Sequence, residues 1–247
     1  MEIATGTLVL FLVILPVLSF LYASVGHGGA SGYLALMALF SFPNETMKQT
    51  ALLLNLFVAG VAFYHYQKAG HFRKDLFWPF AMASIPAAFL GGMTQLDPNL
   101  YKKVLGVLLI FAVARMLWQK TEKQDPTKSI KFIQAFVLGA LVGFFSGLIG
   151  IGGGIILTPI ILLLHWGNMK EAAAVSALFI WVNSAAGIIG QFTSGVELYP
   201  ISALMVVIAV LGGLAGSYLG SQRWNNRVLE YALATVLITA SVKLLLF

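Results

Sequence analysis

Residues 147–163 read GLIGIGGGIILTPIILL, a glycine cluster followed at once by an apolar run. Each glycine inside a helix costs about 1 kcal/mol relative to alanine. Within a bilayer, non-helical backbone is tolerated only where it is buried in protein or lines a cavity. The stretch therefore reads as an unwound turn, Gly150–Gly154, that opens a short helix. A helix starting at such a turn offers unpaired N–H groups and a partial positive charge, a natural seat for an anion. Glycine lets an oxyanion approach the backbone closely, because no Cβ intervenes. A second cluster, GHGGASG at 26–32, opens another short apolar run, and Gly26, Gly28 and Gly29 fall on Gly150, Gly152 and Gly153 at a constant offset of 124. Close packing of small residues between helices also uses glycine and alanine. That is the reading of Gly139, Gly143 and Gly147 and of Gly212, Gly216 and Gly220; for the two clusters, packing and anion binding both stand.

The whole chain supports a membrane setting. Of its 247 residues, 59% are apolar and 10% charged, with a mean hydropathy of +0.89. A soluble domain carries about 25% charged residues to face water, so a soluble enzyme, a disordered chain and a nucleic-acid binder are all excluded as readings. The net charge of +6 is the excess of Lys and Arg that membrane proteins keep on the cytoplasmic side. Cysteine is absent, which removes disulfides and thiolate chemistry. No basic region precedes the first apolar run, and the first Lys or Arg is Lys48, so the N-terminus is read as a retained segment rather than a cleaved signal.

Ten apolar segments are expected, at 6–24, 30–42, 48–66, 76–95, 100–118, 132–149, 154–166, 171–192, 199–219 and 228–247. A crossing helix needs roughly 20 residues, and the second and seventh are much shorter. If all ten cross, Lys68, Arg73, Lys74, Arg115, Lys120, Lys123, Lys128, Lys131, Lys170, Arg223 and Arg227 share one side, against Lys48, Lys102, Lys103 and Lys243 on the other. The positive-inside rule makes the first side cytoplasmic and puts both termini outside the cell (plasma or inner) membrane. The split is unchanged if a short segment and its predecessor form a re-entrant hairpin, since zero and two crossings have the same parity.

The two halves echo each other beyond the glycine clusters. FLGGM around Gly91 and Gly92 resembles VLGGL around Gly212 and Gly213, and KKVLG at 102–106 resembles NRVLE at 226–230. The expected organisation is a first membrane repeat over 1–118, a hydrophilic cytoplasmic linker over 119–131 and a second repeat over 132–247. Five crossings per half would turn the second repeat upside down, the inverted-repeat plan of many secondary transporters, whose sites lie near the midplane at broken helices. The expected fold is thus an all-α integral membrane protein of two inverted five-segment repeats, with broken or re-entrant short helices after the glycine turns.

The candidate binding residues follow from that plan. Backbone amides of Gly26, Gly28, Gly29, Gly150, Gly152, Gly153 and Gly154 are the proposed anion contacts. His27, which aligns with Ile151, either donates to an anion or carries a proton, or fills a polar pocket as a neutral ring. Asn55 and Asn183 lie mid-helix in comparable elements, and a buried amide in lipid must be satisfied by a neighbouring helix or by a substrate. With Gln49, Thr50, Ser176 and Gln191 they would complete an anion cage. Pro159 is expected to kink or end the short second-half helix. No Asp or Glu falls in the interior of a segment, Glu171 and Glu230 lying near segment ends, so no carboxylate relay, catalytic pair, metal site or cofactor is expected. Ser146 in GFFSG has no histidine in its local context, which leaves a serine-protease reading with little support. The expected partners are a small anionic substrate and the lipid bilayer, with a homo-oligomer open and no nucleic acid.

The clusters GHGGASG and GIGGGIILTP, with the duplicated apolar layout, resemble the sulfite exporter TauE/SafE family, also called the toluene sulfonate uptake permease family. The resemblance covers residues 8–246 and implies a transporter, not an enzyme, for small sulfur-containing anions such as sulfite, sulfonates, sulfoacetate or thiosulfate. The other reading is a channel or carrier for another small ion or metabolite on the same scaffold.

Overall fold

The structure, a computed structural model, describes residues 5–118, 128–195 and 200–222, together with 238, 241–243, 245 and 246. The described residues form α1 (Thr5–Ser24), α2 (Ala30–Leu39), α3 (Asn44–Lys68), α4 (Lys74–Met93) and α5 (Pro98–Trp118). These are followed by α6 (Phe132–Ile149), α7 (Gly154–Leu163), α8 (Met169–Thr193) and α9 (Ser202–Gln222). Most of the expected tenth segment, and linker residues 119–127, lie outside the described residues. Among the described residues, five helical stretches, at Thr46–Lys68, Lys74–Met93, Phe132–Ile149, Met169–Thr193 and Ser202–Gln222, are long and apolar enough to cross a membrane. Large apolar side chains face outward along several helices, among them Val13 and Val17 on α1, Ile133 and Leu141 on α6, and Val207 and Leu211 on α9. In water such an outer surface would be an aggregation site; in lipid it faces its own solvent.

Glycine spacing sets the closest helix pairs. A Cβ on Gly139, Gly143 or Gly147 of α6 would run into the backbone carbonyl of Phe80, Ser84 or Ala88 of α4. A Cβ on Gly212, Gly216 or Gly220 of α9 would meet the carbonyl of Pro16, Phe20 or Ser24 of α1. In lipid there is little hydrophobic gain between helices, so backbone-to-backbone approach of this kind supplies the packing. Both series step in register with rising residue number, so α6 runs parallel to α4 and α9 parallel to α1. By contrast α3 and α8 are antiparallel: Gly187 meets Leu52, Gly60 meets Trp181, and Tyr66 clusters with Ala173 and Ala174.

These pairings interleave the halves. The first helix of each half packs on the fourth of the other, α1 on α9 and α6 on α4, while α3 and α8 cross at the centre. Corresponding elements have closely matched lengths, 10 residues for both α2 and α7 and 25 for both α3 and α8.

Each short helix folds back on its predecessor. The Phe11 ring near the start of α1 lies 6.3 Å from that of Phe40 and 5.0 Å from that of Phe42, just past α2. Likewise the Lys128 N–H, before α6, donates to the His165 carbonyl past α7 at 2.7 Å. Thus α1–α2 and α6–α7 are helical hairpins that enter and leave on one side. The first is based where α3 begins and the second where α8 begins, at opposite ends of the antiparallel α3–α8 pair. Ten residues span about 15 Å, half of a bilayer core, which fits a return stroke from the interior. Pro159 lies inside α7 without ending it, and the helix runs on to Leu163.

Candidate functional site

Both hairpin tips are built from left-handed glycines. Gly26 and Gly29 have φ of 76° and 97°, and Gly150, Gly152 and Gly153 have φ of 91°, 79° and 80°. The left-handed conformation costs an L-residue roughly 1–2 kcal/mol, so glycine at these corners is required by the turn itself. The N-caps of α2 and α7 are Gly29 and Gly153, and no side chain of their own caps either helix.

The two turns meet on one buried side chain, Asn55 of α3. Its Oδ1 accepts the Ala30 N–H at 3.0 Å, at the start of α2, and its Nδ2 donates to the Ile151 carbonyl at 3.3 Å. A Cβ on Gly28 would stand 2.5 Å from the Asn55 Oδ1, and one on Gly152 would strike its Nδ2. Ile180 of α8 closes the other side, against Gly28, Gly152 and Gly154 alike. So Gly28, Gly152, Gly154 and Asn55 come together in one buried place, with a carboxamide filling the space between two glycine turns.

The other expected site residues lie around this centre or away from it. Gly26 packs on Ala173, Gly150 on the backbone of Lys48, and Gly153 among Phe179, Val142 and Ser146. The half-buried His27 donates from Nδ1 to the Val25 carbonyl at 3.1 Å and sits beside the Gly154 backbone, so it belongs to the meeting of the turns. Ser176 shares a 2.7 Å hydrogen bond with Thr158 of α7 and stands next to Gly154. Thr50 is engaged at 3.2 Å with Ser202 of α9. Gln49 and Gln191 are buried, and the Gln191 Nε2 has no hydrogen-bond partner. Asn183 lies mid-helix on α8, the element whose length matches that of α3, although with the two helix starts aligned Asn55 falls on Ile180. The Asn183 Nδ2 donates to its own helix, at the Phe179 carbonyl, 2.8 Å away.

Several contributors carry no signal in the pattern of polar residues. Tyr66 of α3 donates its hydroxyl to the Ser24 carbonyl at 3.0 Å, and Tyr101 of α5 donates to the Ile149 carbonyl at 2.9 Å. Ser24 and Ile149 are the last residues of α1 and α6, so each hairpin tip has one buried helix-end carbonyl tied to a tyrosine. Lys48 flanks the second tip and donates to the carbonyls of Gly92 and Thr94, both at 3.1 Å, at the end of α4. At the opposite end of the bundle, Lys170 donates to the Gly220 carbonyl of α9. Both lysines neutralise a helix C-terminus, where cations are favoured.

Comparison with known proteins accords with this architecture. The family profile described as Sulfite exporter TauE/SafE matches residues 10–244. A probable membrane transporter protein, y4hK of Sinorhizobium fredii (strain NBRC 101917 / NGR234), is 34% identical over 233 residues, covering 93% of this chain and 94% of its own. The probable membrane transporter protein YjnA of Bacillus subtilis (strain 168) is 27% identical over 242 residues, covering 89% and 92%. Sulfite exporter TauE/SafE family protein 5 of Arabidopsis thaliana is 29% identical over 126 residues, 49% of this chain and 27% of the relative. No solved structure matches the chain with significance.

Proposed function

Because the chain belongs to the sulfite exporter TauE/SafE family of multi-pass membrane transporters, we propose that it carries a small sulfur-containing oxyanion, of the sulfite, sulfonate, sulfoacetate or thiosulfate type, by alternating access. The observation that carries this reading is the meeting of two glycine turns on Asn55, from hairpins based at opposite ends of the bundle. That arrangement is what an inverted repeat with a midplane site requires.

The chemistry follows from the groups at the turns. The N-termini of α2 and α7 supply N–H donors and two partial positive charges with no carboxylate among the neighbours named above, so an oxyanion is stabilised there without a counter-charge. In the closed arrangement the Asn55 Oδ1 occupies the first donor of α2. A carboxamide oxygen carries only partial negative charge, so an anionic oxygen competes with it for the same N–H, charge-assisted bonds being roughly twice as strong as neutral ones. Substrate entry then exchanges one hydrogen bond for a stronger one and loosens the pin between the turns. With the pin released, one hairpin moves against the other and the site opens to the other face. The basic residues Lys68, Arg73, Lys74, Lys128, Lys131 and Lys170 gather at the end of the bundle where α3 ends, which we assign to the cytoplasm by the positive-inside rule.

The purified chain in liposomes tests the proposal. Labelled sulfite enters these vesicles faster than empty ones, saturably, and unlabelled sulfonates or thiosulfate compete. Uptake equal to that of empty liposomes across the whole oxyanion panel overturns it.

A further inference from the structure

A cavity of about 400 Å³ opens between α3 and α9 where both helices end. The two run parallel: Thr50 meets Ser202, Val58 packs on Gly213, and the His65 Nδ1 lies 2.8 Å from the Ser217 Oγ. The walls include Tyr64, His65 and Lys68 of α3 and Tyr218, Ser221 and Gln222 of α9, with no carboxylate among them. The Ser217 hydroxyl donates to the Gly213 carbonyl at 2.7 Å, so it accepts from His65 and fixes that ring as one wall. The Tyr218 ring stands 5.9 Å from it. The Lys68 Nζ lies 5.9 Å from the centre of the Tyr64 ring, and among the described residues no carboxylate pairs with it.

Helix C-termini are negative poles and would repel an anion, but here the end carbonyls are occupied. The Ala69 and Gly70 N–H groups donate to the carbonyls of His65 and Gln67 at 3.0 Å and 2.9 Å, and Lys170 donates to that of Gly220. Lys170 also brings a second positive charge to the last turn of α9. Nor does the scaffold demand the opening. At the other end of the bundle the corresponding pair, α8 and α4, closes backbone to backbone. With the starts of α3 and α8 aligned, His65 falls on Gly190, where a Cβ would stand 2.3 Å from the Phe89 carbonyl.

The geometry points to a binding site for the phosphate headgroup of an anionic phospholipid in this cavity, with Lys68 facing the phosphate and the Tyr218 hydroxyl and Gln222 amide as donors beside it. Lys68 is the last residue of the crossing stretch Thr46–Lys68, so it stands at the depth of the headgroups, where tyrosines also gather. Toward the bilayer core the same sides of the helices turn apolar. Phe57, Val61, Tyr64 and Lys68 follow one helical stripe on α3, and Leu211 stands two turns before Tyr218 on α9; Phe57 and Leu211 are both exposed. A charged seat above an apolar track matches a lipid rather than a free ion. Basic pockets between membrane helices hold headgroups of this kind, and the missing carboxylate leaves the ammonium of a zwitterionic headgroup without a counter-charge. The site stands independently of the transport reading.

The full chain in micelles of an uncharged detergent tests it. Dioctanoyl phosphatidylglycerol raises the unfolding temperature saturably, and dioctanoyl phosphatidylcholine does so less at every concentration. Lys68→Gln, an exposed position, moves the midpoint of the rise to about fivefold higher phosphatidylglycerol, the loss of one cation beside an anionic headgroup. Lys103→Gln, near the start of α5 at the opposite end of the bundle, leaves the midpoint where it was. Equal responses to the two lipids overturn the site whether or not any variant folds, and so does an unmoved midpoint in Lys68→Gln. Sodium phosphate at matched ionic strength gives no saturable rise; if it reproduces the phosphatidylglycerol curve, the cavity takes a free anion and the lipid assignment falls.

Discussion

The carboxamide of Asn55 accepts the N–H of Ala30 at 3.0 Å, and through its other end it holds the Ile151 carbonyl. One side chain on α3 thus joins the first turn of a hairpin from the first half to the tip of a hairpin from the second, the latter 96 residues beyond Asn55 in sequence. Asn55→Ala leaves a buried donor and a buried acceptor without partners, each costing about 1–3 kcal/mol. Lowered thermal stability in micelles together with loss of sulfite uptake is the expected result. Asn55→Asp keeps the acceptor for Ala30 and places a full negative charge where an anion would sit. Its uptake falls below that of Asn55→Gln, measured on matched amounts of folded protein.

Gly152 and Gly70 separate local strain from the central contact. Both have positive φ, 79° and 81°, but a Cβ on Gly152 strikes Asn55, whereas one on Gly70 meets nothing within 4 Å. Gly70→Ala costs roughly 1–2 kcal/mol from its left-handed backbone and leaves the transport rate unchanged. Gly152→Ala bears the same backbone cost and in addition displaces the Asn55 amide. Uptake by the two variants, normalised to folded protein, makes the comparison.

Tyr66→Phe and Tyr101→Phe each remove one hydroxyl from a helix-end carbonyl, at Ser24 and Ile149. Each costs about 1 kcal/mol. The two sites share no partner, so the double variant loses the sum, within a few tenths of a kcal/mol. Equilibrium unfolding of the three variants measures this.

Helix association is tested at Gly143. A side chain there collides with Ser84 of α4 at its carbonyl and Cβ, and overpacking of this kind costs typically 1–3 kcal/mol. Gly143→Leu therefore lowers the unfolding temperature. A leucine at Gly6, where nothing lies within 4 Å, leaves it unchanged.

The hallmark turns and the packing stripes were legible in the sequence because each leaves a periodic trace. Gly26, Gly28 and Gly29 repeat at Gly150, Gly152 and Gly153, and Gly139, Gly143 and Gly147 recur every four residues along one helix face. The hairpins were not, since hydropathy registers an apolar run without its direction, and a pair crossing twice leaves the same charge parity as a pair that turns back. Asn55 stood out as an amide in an apolar helix, but its double attachment depends on the approach of Ile151 from the other half, which no local pattern records. Asn183 was grouped with it by its mid-helix place in a comparable element; Ile180, which closes the far side of the meeting of the turns, gave no reason to be singled out because its side chain is apolar. Lys48 counted only toward the charge balance, and its role at the end of α4 appears once α3 and α4 are placed side by side.

Amide hydrogen exchange on the purified protein, with and without saturating sulfite, addresses the backbone donors themselves. Slower exchange confined to residues 28–32 and 152–156 when sulfite is present is the result expected if those N–H groups hold the anion. Unchanged exchange at both turns, or protection appearing only at the basic end of the bundle, contradicts it.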